Sequence, residues 1–315
     1  MTFSEQVKNE ILSRFDLEPC CQLASLSAFV RGSGTLASSG GNVGFEIITE
    51  NELAFEVFSS VINKLYGIDA KKSVIKDKLT ARKKYSLSVI NEKSLAILID
   101  LGIVSVGGDG ITVNLSIDKY ITENDCCKKS YVKGAFIGGG SVTVPNVDNK
   151  TNKGYHLEFV FSKYQTANDF ALLLSSIGFL PKLINRKDSF VIYFKNGEEI
   201  SDVLGYMEAT KSCFELNDVI IAKDIRNDTN RKVNCEMGNL TKQIEASIKQ
   251  IKNINVIIDT IGLEGLNKQL QDTAKARINN PDATLEELAE MQGVSKSCMN
   301  HRLRKLNEIA KNING

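Results

Sequence analysis

An internal repeat constrains the fold of this chain more than any other feature of its sequence. Cys20 and Cys21 recur 106 residues later as Cys126 and Cys127, and each doublet is followed by a helix-like segment that ends in a glycine cluster. Both segments carry small residues at every fourth position, namely Ala24, Ala28 and Gly32 in the first and Ser130, Gly134 and Gly138 in the second. Because residues four apart share one helix face, and small side chains let two backbones approach closely, the two segments are predicted to pack against each other.

The elements that follow the glycine clusters also correspond between the two halves. Each half has an extended run, a helix pattern, a further hairpin and a closing helix. They lie at 44–49, 53–66, 72–90 and 92–101 in the first half, and at 156–161, 167–177, 182–194 and 198–207 in the second. The sequence therefore predicts an α+β domain over residues 1–215, in which two αββαββα repeats, at about 20–115 and 126–210, are related by a pseudo-twofold axis. A generic duplicated α+β fold, whose glycines serve only turns and packing, accounts for the same pattern.

Composition and charge narrow the class of protein. The chain has 315 residues, of which 42% are hydrophobic and 24% are charged, and its formal net charge is +1. These values are ordinary for globular domains and indicate neither disorder nor a membrane protein. Residues 5–15 mix charged and apolar side chains at helical spacing, which predicts an amphipathic helix and not a signal peptide. The protein is therefore expected in the cytoplasm, with no membrane partner.

The seven cysteines bear on disulfides, metals and redox chemistry. They are odd in number, show no CxxC spacing and occur in a chain without an export signal, so neither a disulfide framework nor a zinc finger is expected. We predict no cofactor and no metal. The two doublets occupy equivalent places in the repeat, so they could converge in space. A redox or metal switch is one interpretation, and buried structural thiols, which are far commoner, are the other.

A second, all-α domain is predicted after the repeats. From about residue 235 to residue 315 apolar residues recur at helical spacing, and the last strand-like run is 219–222. The stretch 226–234 is polar with little apolar content, which predicts a linker or hinge over residues 216–234.

The segment 280–307 carries the signals of a helix-turn-helix. Thr284 and Glu287 have capping-box spacing, and Gly293 ends the helix that they begin, at a place where the turn needs a positive φ. Ser295 can cap the next helix. The predicted inward residues of the two helices are Leu285, Leu288, Ala289, Met299, Leu303 and Leu306.

The second of these helices is basic and polar on its outer face. It has no acidic residue before Glu308, whereas the preceding helix holds Glu286, Glu287 and Glu290. Lys and Arg neutralise phosphates, and Ser, Asn and Arg near a helix start can reach base edges in the major groove of double-stranded DNA. The predicted DNA-binding residues are Lys296, Ser297, Asn300, His301, Arg302, Arg304 and Lys305. A surface helix of a bundle, with ordinary basic residues, is the alternative.

The first domain resembles a known nuclease fold. The sequence YVKGAFIGGGSV at 131–142 is similar to the LAGLIDADG helix of homing endonucleases, and FVRGSGTL at 29–36 is similar to a weaker second copy. The resemblance implies paired helices under two sheets that form a DNA-binding saddle, and it places the family's metal-binding acidic residues at Ser33 and Gly139. Neither residue can hold a divalent metal as a carboxylate does, so no catalytic residue is predicted. No replacement pair is evident, because Asp109 and Asp148 lie in loops beyond the motifs. A nuclease that uses unrecognised carboxylates is the rival hypothesis.

Basic residues outside the helix-turn-helix are weaker candidates for DNA contacts, since exposed lysines usually form only a solvated face. On the saddle and the polar stretch the candidates are Lys150, Lys153, Lys163, Arg186, Lys187, Arg226 and Arg231. The saddle surface is equally suited to a protein or a small ligand. In that case residues 235–315 alone bind DNA.

Two further stretches resemble one bacterial family. SKSCMNHRLRKL at 295–306 and RNDTNRKVNCE at 226–236 are similar to signature stretches of the WhiA family. Proteins of that family join a degenerate LAGLIDADG domain to a helix-turn-helix and act as transcription regulators linked to sporulation and cell division in Gram-positive bacteria. The resemblance spans nearly the whole chain. It implies chromosomal DNA as a partner and, in some members, a nucleoid-associated role, and it leaves room for a second regulator protein.

Overall fold

The first part of the chain is built from two copies of one αββαββα unit. The computed structural model describes residues 1–15, 18–76, 83–108, 110–145 and 154–314, and the chain divides into the units Met1–Lys223 and Asp224–Gly315. Helix α1 (Phe3–Ser13) precedes the first repeat, which consists of α2 (Pro19–Ser33), β1 (Gly34–Ser39), β2 (Asn42–Thr49), α3 (Glu52–Tyr66), β3 (Lys71–Lys76), β4 (Lys83–Val89) and α4 (Ser94–Asp100). Next comes a hairpin of β5 (Val104–Gly107) and β6 (Gly110–Val113), which was not predicted from the sequence. A 3-10 helix (Lys119–Thr122) follows the hairpin.

The second repeat has the same order of elements and the same sheet topology. It consists of α5 (Asp125–Gly139), β7 (Gly140–Thr143), β8 (His156–Phe161), α6 (Tyr164–Ser176), β9 (Lys182–Arg186), β10 (Ser189–Phe194) and α7 (Gly197–Tyr206). The antiparallel sheets have the strand orders β1-β2-β4-β3 and β7-β8-β10-β9. Thr35 faces Glu46 in the first sheet as Ser141 faces Glu158 in the second. The predicted α+β repeat is confirmed.

Helices α2 and α5 are in direct backbone contact. A β-carbon on Gly134 would overlap the carbonyl oxygen of Ser25, and one on Gly138 would lie 3.1 Å from the carbonyl oxygen of Phe29. Small residues on the shared faces therefore let these two helices approach, as predicted. Both helices contribute to one hydrophobic core, in which the rings of Phe29 and Phe58 stack with centroids 4.0 Å apart.

A single helix, α8 (Thr210–Ile261), stands where the linker was predicted. Residues 216–234 lie inside it, as does the strand-like run 219–222, so the stretch predicted as a linker or hinge is continuous helix. Residues 210–237 contain neither proline nor glycine, and nothing in that stretch interrupts helical hydrogen bonding. The polar composition of this stretch reflects a solvent-exposed helix and not a break in the helix, because residues 224–242 are all exposed.

The second unit is helical. The C-terminal part of α8 packs with α9 (Lys268–Asn279), α10 (Leu285–Met291) and α11 (Lys296–Asn314), and a 3-10 helix (Leu263–Gly265) follows α8. The core of this unit includes Ile254, Ile257, Leu270, Leu288, Met299, Leu303 and Leu306. Within the described residues, no helix is both long enough and apolar enough to cross a membrane.

Candidate nucleic-acid interface

Capping interactions fix the start of α10 and the start of α11, the two helices of the predicted motif. The Thr284 backbone N–H donates to Glu287 Oε2 at 2.7 Å, and the Glu287 N–H donates to Thr284 Oγ1 at 3.2 Å. This capping box holds the pKa of the Glu287 carboxyl below its usual range, because the Thr284 backbone amide donates to the charged form. Gly293 has a φ of +62°, and the Cys298 N–H donates to Ser295 Oγ at 3.2 Å. The predicted caps and turn are confirmed.

The inner faces of α10 and α11 form the core that holds the two helices together. Leu288, Met299, Leu303 and Leu306 are at most 1% exposed, and Ala289 is 3% exposed. The Val294 N–H donates to the Ala289 carbonyl at 2.9 Å, which brings the turn back onto α10. Burial of these side chains fixes which face of α11 remains outside. Leu285, which was also predicted to point inward, is partly buried against the same core.

Helix α11 presents a row of polar side chains to solvent. Ser297, Asn300, His301 and Arg304 follow one another at helical spacing and are all exposed. Lys296 and Lys305 are exposed on the same helix. The structure thus brings six of the seven predicted DNA-binding residues to the surface of one element, as a major-groove reader requires.

Arg302, the seventh residue, has a partner inside the domain. It is half-buried, and its Nη1 donates to Gln292 Oε1 at 3.4 Å. The Thr273 hydroxyl donates to the same oxygen at 3.2 Å. Arg302 is therefore placed to support the turn at Gln292, a role that the spacing of basic residues did not reveal.

Lys296 also has a partner, but a weakly held one. Its Nζ lies 2.9 Å from Glu286 Oε2, and both side chains are exposed. Exposed ion pairs contribute at most about 1 kcal/mol. Lys296 can therefore exchange Glu286 for a phosphate at small cost.

A buried arginine, which the sequence analysis missed, holds the loop that leads into α10. Arg277 is 3% exposed, and its Nη1 donates to the Ala283 carbonyl at 2.7 Å. Burial lowers the pKa of this guanidinium. The Ser247 hydroxyl donates to the Pro281 carbonyl of the same loop at 2.5 Å. The available signal was the place of Arg277 in the last turn of α9, where basic side chains reach free carbonyls.

Each of the two sheets of the first unit carries a glutamate on the face opposite the core. Glu46 and Glu158 both alternate with buried neighbours along their strands, so strand pleating turns their carboxylates outward. The Ser86 hydroxyl donates to Glu46 Oε1 at 2.5 Å. His156 Nε2 and Arg186 Nη1 both lie 3.0 Å from Glu158 Oε2. The sheet faces are thus less basic than the lysines and arginines of the sequence suggested.

The weaker DNA-binding candidates that the structure describes lie on different elements. Lys163 is exposed at the start of α6, and Lys187 is exposed with a φ of +58°, whereas Arg186 is engaged by Glu158. Arg226 and Arg231 are exposed on α8, and Arg231 Nη1 lies 3.5 Å from Asp228 Oδ1. Lys150 and Lys153 lie outside the described residues.

The two positions where homing endonucleases carry acidic residues lie at the C-terminal ends of α2 and α5. The Ser33 hydroxyl donates to the Phe29 carbonyl of its own helix at 2.8 Å. A β-carbon on Gly139 would lie 2.7 Å from the Val160 carbonyl oxygen, which leaves no room for a side chain. Asp109 and Asp148, the two carboxylates considered beyond the motifs, lie outside the described residues.

The opposite ends of α2 and α5 bring the two cysteine doublets together. The four Sγ atoms of Cys20, Cys21, Cys126 and Cys127 lie within 4.8 Å of one another. In the part of the chain that the structure describes, this is the one group of three or more His, Cys, Asp or Glu side chains arranged to hold a metal ion. Burial raises the pKa of both the Cys21 and the Cys127 thiols to about 12. The pKa of Cys126 is lowered, chiefly by a hydrogen bond from Cys21.

Comparison with known proteins assigns the chain to a family. Three consecutive stretches match family descriptions: 19–104 the WhiA N-terminal LAGLIDADG-like domain, 128–226 the WhiA LAGLIDADG-like domain, and 229–310 the WhiA C-terminal HTH domain. A Clostridium tetani protein named "Probable cell division protein WhiA" is 39% identical over 318 residues, which cover 99% of this chain and 98% of that protein. The chain belongs to the WhiA family.

Other WhiA proteins extend the match over the full length. The "Probable cell division protein WhiA" of Clostridium beijerinckii is 37% identical over 317 residues and covers 99% of both chains. The crystal structure of full-length WhiA from Thermatoga maritima covers 99% of each chain with a TM-score of 0.57 at 20% identity, which shows a shared fold. As a WhiA protein, this chain joins LAGLIDADG-like repeats to a DNA-binding helix-turn-helix domain.

Proposed function

We propose that this WhiA protein is a DNA-binding transcriptional regulator that acts in cell division and sporulation, that it contacts duplex DNA through α11, and that it does not cleave DNA. The observation that carries this proposal is the exposed row Ser297, Asn300, His301 and Arg304 on a helix whose other face is fixed by the core. The names of its relatives support the role in cell division.

The chemistry of α11 suits a major-groove reader. Arg304 and Lys305 supply positive charge for phosphates, and Asn300 and Ser297, in the first two turns, can reach base edges. The acidic residues Glu286, Glu287 and Glu290 lie on α10, away from this row in sequence. This separation matches a helix-turn-helix in which only the second helix enters the groove.

The absence of nuclease activity is proposed from the positions that would hold the metal. Divalent ions in such enzymes are held through carboxylate oxygens. Ser33 offers a hydroxyl that already donates within its own helix, and Gly139 offers no side chain and no room for one. In this proposal the LAGLIDADG-like domain keeps its architecture but carries no cleavage chemistry, and the protein resides in the cytoplasm on the nucleoid.

A second candidate function concerns the LAGLIDADG-like domain alone. Glu46 and Glu158 bring carboxylates to the outer faces of both sheets, and Glu158 already engages Arg186, which reduces the positive charge available there to DNA phosphates. This favours a domain that binds a protein, such as a second regulator, or a small ligand, with DNA bound by residues 235–315 only. Comparing the DNA affinity of the full-length protein with that of the variants Arg186→Ala, on β9, and Lys163→Ala, at the start of α6, separates the two, because only a DNA-binding saddle loses affinity.

The test of the proposal combines mapping with measured affinity. Genome-wide mapping of DNA bound by the tagged protein yields a duplex for binding assays. Arg304→Ala with Lys305→Ala should lower affinity at least about tenfold and reduce the slope of log affinity against log salt by about 1 to 2. Lys311→Ala, on the last turn of the same helix, is the matched control and should leave both quantities unchanged. Unchanged affinity of the double variant at both low and high salt contradicts the proposal.

A further inference from the structure

We propose that Cys20, Cys21, Cys126 and Cys127 together bind one zinc ion. The two doublets come from equivalent positions of the two repeats, and all four sulfur atoms lie within 4.8 Å of one another. Sγ atoms within the first doublet are 4.0 Å apart, and those within the second are 3.9 Å apart.

These spacings match a tetrahedral site around a single ion. With Zn–S bonds of about 2.3 Å, the sulfur–sulfur edge of the tetrahedron is about 3.8 Å. The two spacings within the doublets exceed that edge by only a few tenths of an ångström, and those between the doublets, at most 4.8 Å, exceed it by at most about 1 Å, so side-chain rotations complete the site. A set of four thiolates in a tetrahedron selects zinc among the common divalent ions.

Other uses of four thiols fit the geometry less well. A disulfide requires sulfur atoms about 2.05 Å apart, which is far shorter than either spacing. In a [4Fe–4S] cluster each cysteine ligates a different iron, and the four sulfurs spread well beyond a tetrahedron around one ion. The observed cluster is compact and therefore favours one metal ion.

The surroundings favour thiolates over thiols once a metal is present. Each doublet lies in the first turn of its helix, and in the described residues neither cap residue, Glu18 or Asn124, accepts an amide hydrogen bond with its side chain. The doublets therefore lie at the positive ends of two helix dipoles, which stabilises the net negative charge of a zinc ion with four thiolates. Cys20 and Cys126 are exposed, which gives the ion a route from solvent, whereas Cys21 and Cys127 are buried.

An ion at this place would tie the two repeats together. Each repeat would supply two ligands, at the ends of α2 and α5 that lie opposite Ser33 and Gly139. The site is thus distinct from the positions that hold the metal in LAGLIDADG nucleases. Adjacent cysteines lack the CxxC spacing of zinc fingers, so no metal was predicted from the sequence.

The test measures the metal content of the full-length protein. Protein purified without chelator should contain about one zinc per chain by elemental mass spectrometry. Cys20→Ser and Cys126→Ser, which alter exposed side chains and spare the core, should each lose this zinc after desalting with a competing chelator. Cys235→Ser, at an exposed cysteine of α8, is the matched control and should retain it. Far-UV circular dichroism verifies that the variants are folded.

Cobalt substitution gives a second readout in the unmodified chain. The metal-stripped protein titrated with Co²⁺ should develop the visible bands of a tetrahedral thiolate site and saturate at one ion per chain. Zinc content that survives Cys20→Ser, a reduced protein that binds neither Zn²⁺ nor Co²⁺, a disulfide within the quartet in freshly purified protein, or iron with acid-labile sulfide would each overturn the proposal.

Discussion

Gly134 lies so close to the carbonyl oxygen of Ser25 that a β-carbon at position 134 would overlap it. The two LAGLIDADG-like repeats therefore meet through main-chain atoms at this point. Close-packed interiors relax only in part, so added volume at such a contact forces the two helices apart. The stability of the whole first unit depends on this contact, because α2 and α5 both contribute to its single core.

Replacing Gly134 with alanine should destabilise the first unit by about 2 kcal/mol, since the added methyl group has no space. Urea unfolding followed by circular dichroism measures the change. Gly205→Ala is the matched control, because a β-carbon on this exposed helical glycine would meet only Cys213 Sγ, at 4.0 Å. The control should be neutral or should stabilise by up to about 1 kcal/mol. Equal stabilities of Gly134→Ala and the wild type would contradict the proposed contact.

Purified protein should leave supercoiled plasmid intact in Mg²⁺ or Mn²⁺, because neither Ser33 nor Gly139 provides a carboxylate. Restoring acids with Ser33→Asp and Gly139→Asp should not create cleavage either. The side chain at 139 must displace the Val160 carbonyl, which lies 2.7 Å from the position of its β-carbon, so the double variant should lose stability. Ser33→Asp alone, at a position that already has a side chain, is the control and should fold. Metal-dependent nicking by the wild type that a chelator abolishes would refute a non-cleaving protein.

Arg277→Ala should destabilise the helix-turn-helix unit by about 2 kcal/mol, because the Ala283 carbonyl loses its donor and the space once filled by the side chain becomes a cavity. DNA affinity should fall with it, although Arg277 is buried and reaches no solvent-facing surface of α11. Arg304→Ala is the converse control: DNA binding should weaken while the unfolding midpoint stays unchanged. If Arg277→Ala unfolds like the wild type, the loop before α10 is held by other groups.

The pairing of Glu208 with Lys133 predicts a pH-dependent contribution to stability. Lys133 Nζ, 1% exposed, lies 2.6 Å from Glu208 Oε2, and hydrogen bonds from Lys133 and then Lys129 lower the pKa of Glu208 from its usual 4.5. A carboxyl whose pKa is lower in the folded state stabilises the protein above its unfolded-state pKa, and this contribution is lost as pH falls through the folded-state value.

Glu208→Gln should therefore be less stable than the wild type at neutral pH, and the difference should shrink as the solution is acidified below the usual carboxyl pKa. Unfolding titrations of both proteins at pH about 7 and at pH about 3 test this expectation. Glu198→Gln, at an exposed position in the first turn of α7, is the control and should show no such convergence. A difference that is constant with pH would show that Glu208 acts through packing and not through charge.

Local patterns were enough to predict most of the fold. The small-residue stripes predicted that α2 and α5 would pack, and the spacing of Thr284, Glu287, Gly293 and Ser295 predicted the caps and the turn that the structure contains. These features depend on residues close together in sequence, or on a repeat that makes distant segments comparable. The exposed face of α11 could be predicted in the same way, because the spacing of its apolar residues shows which face points inward.

Features that depend on partners distant in sequence were not predicted. Arg186 on β9 was predicted as a phosphate contact, but it forms an ion pair with Glu158 on β8 of the same sheet. Arg302 looked like its neighbours on α11, but Gln292 on the turn accepts its hydrogen bond. The helical conformation of residues 216–234 was not predicted for another reason: polar composition indicates exposure, which a solvent-facing helix satisfies as well as a coil.

The turn glycine of the helix-turn-helix has a consequence for protein chemistry. At Gly293, φ is +62°, and in the described chain no atom lies within 4 Å of the place where a β-carbon would stand. The choice of residue at position 293 is therefore restricted by the positive φ, which L-amino acids with a β-carbon disfavour, and not by a lack of space. A D-alanine introduced there by chemical ligation would fit the backbone that strains L-alanine, so mirror-image residues offer a way to stiffen this turn without touching its surroundings.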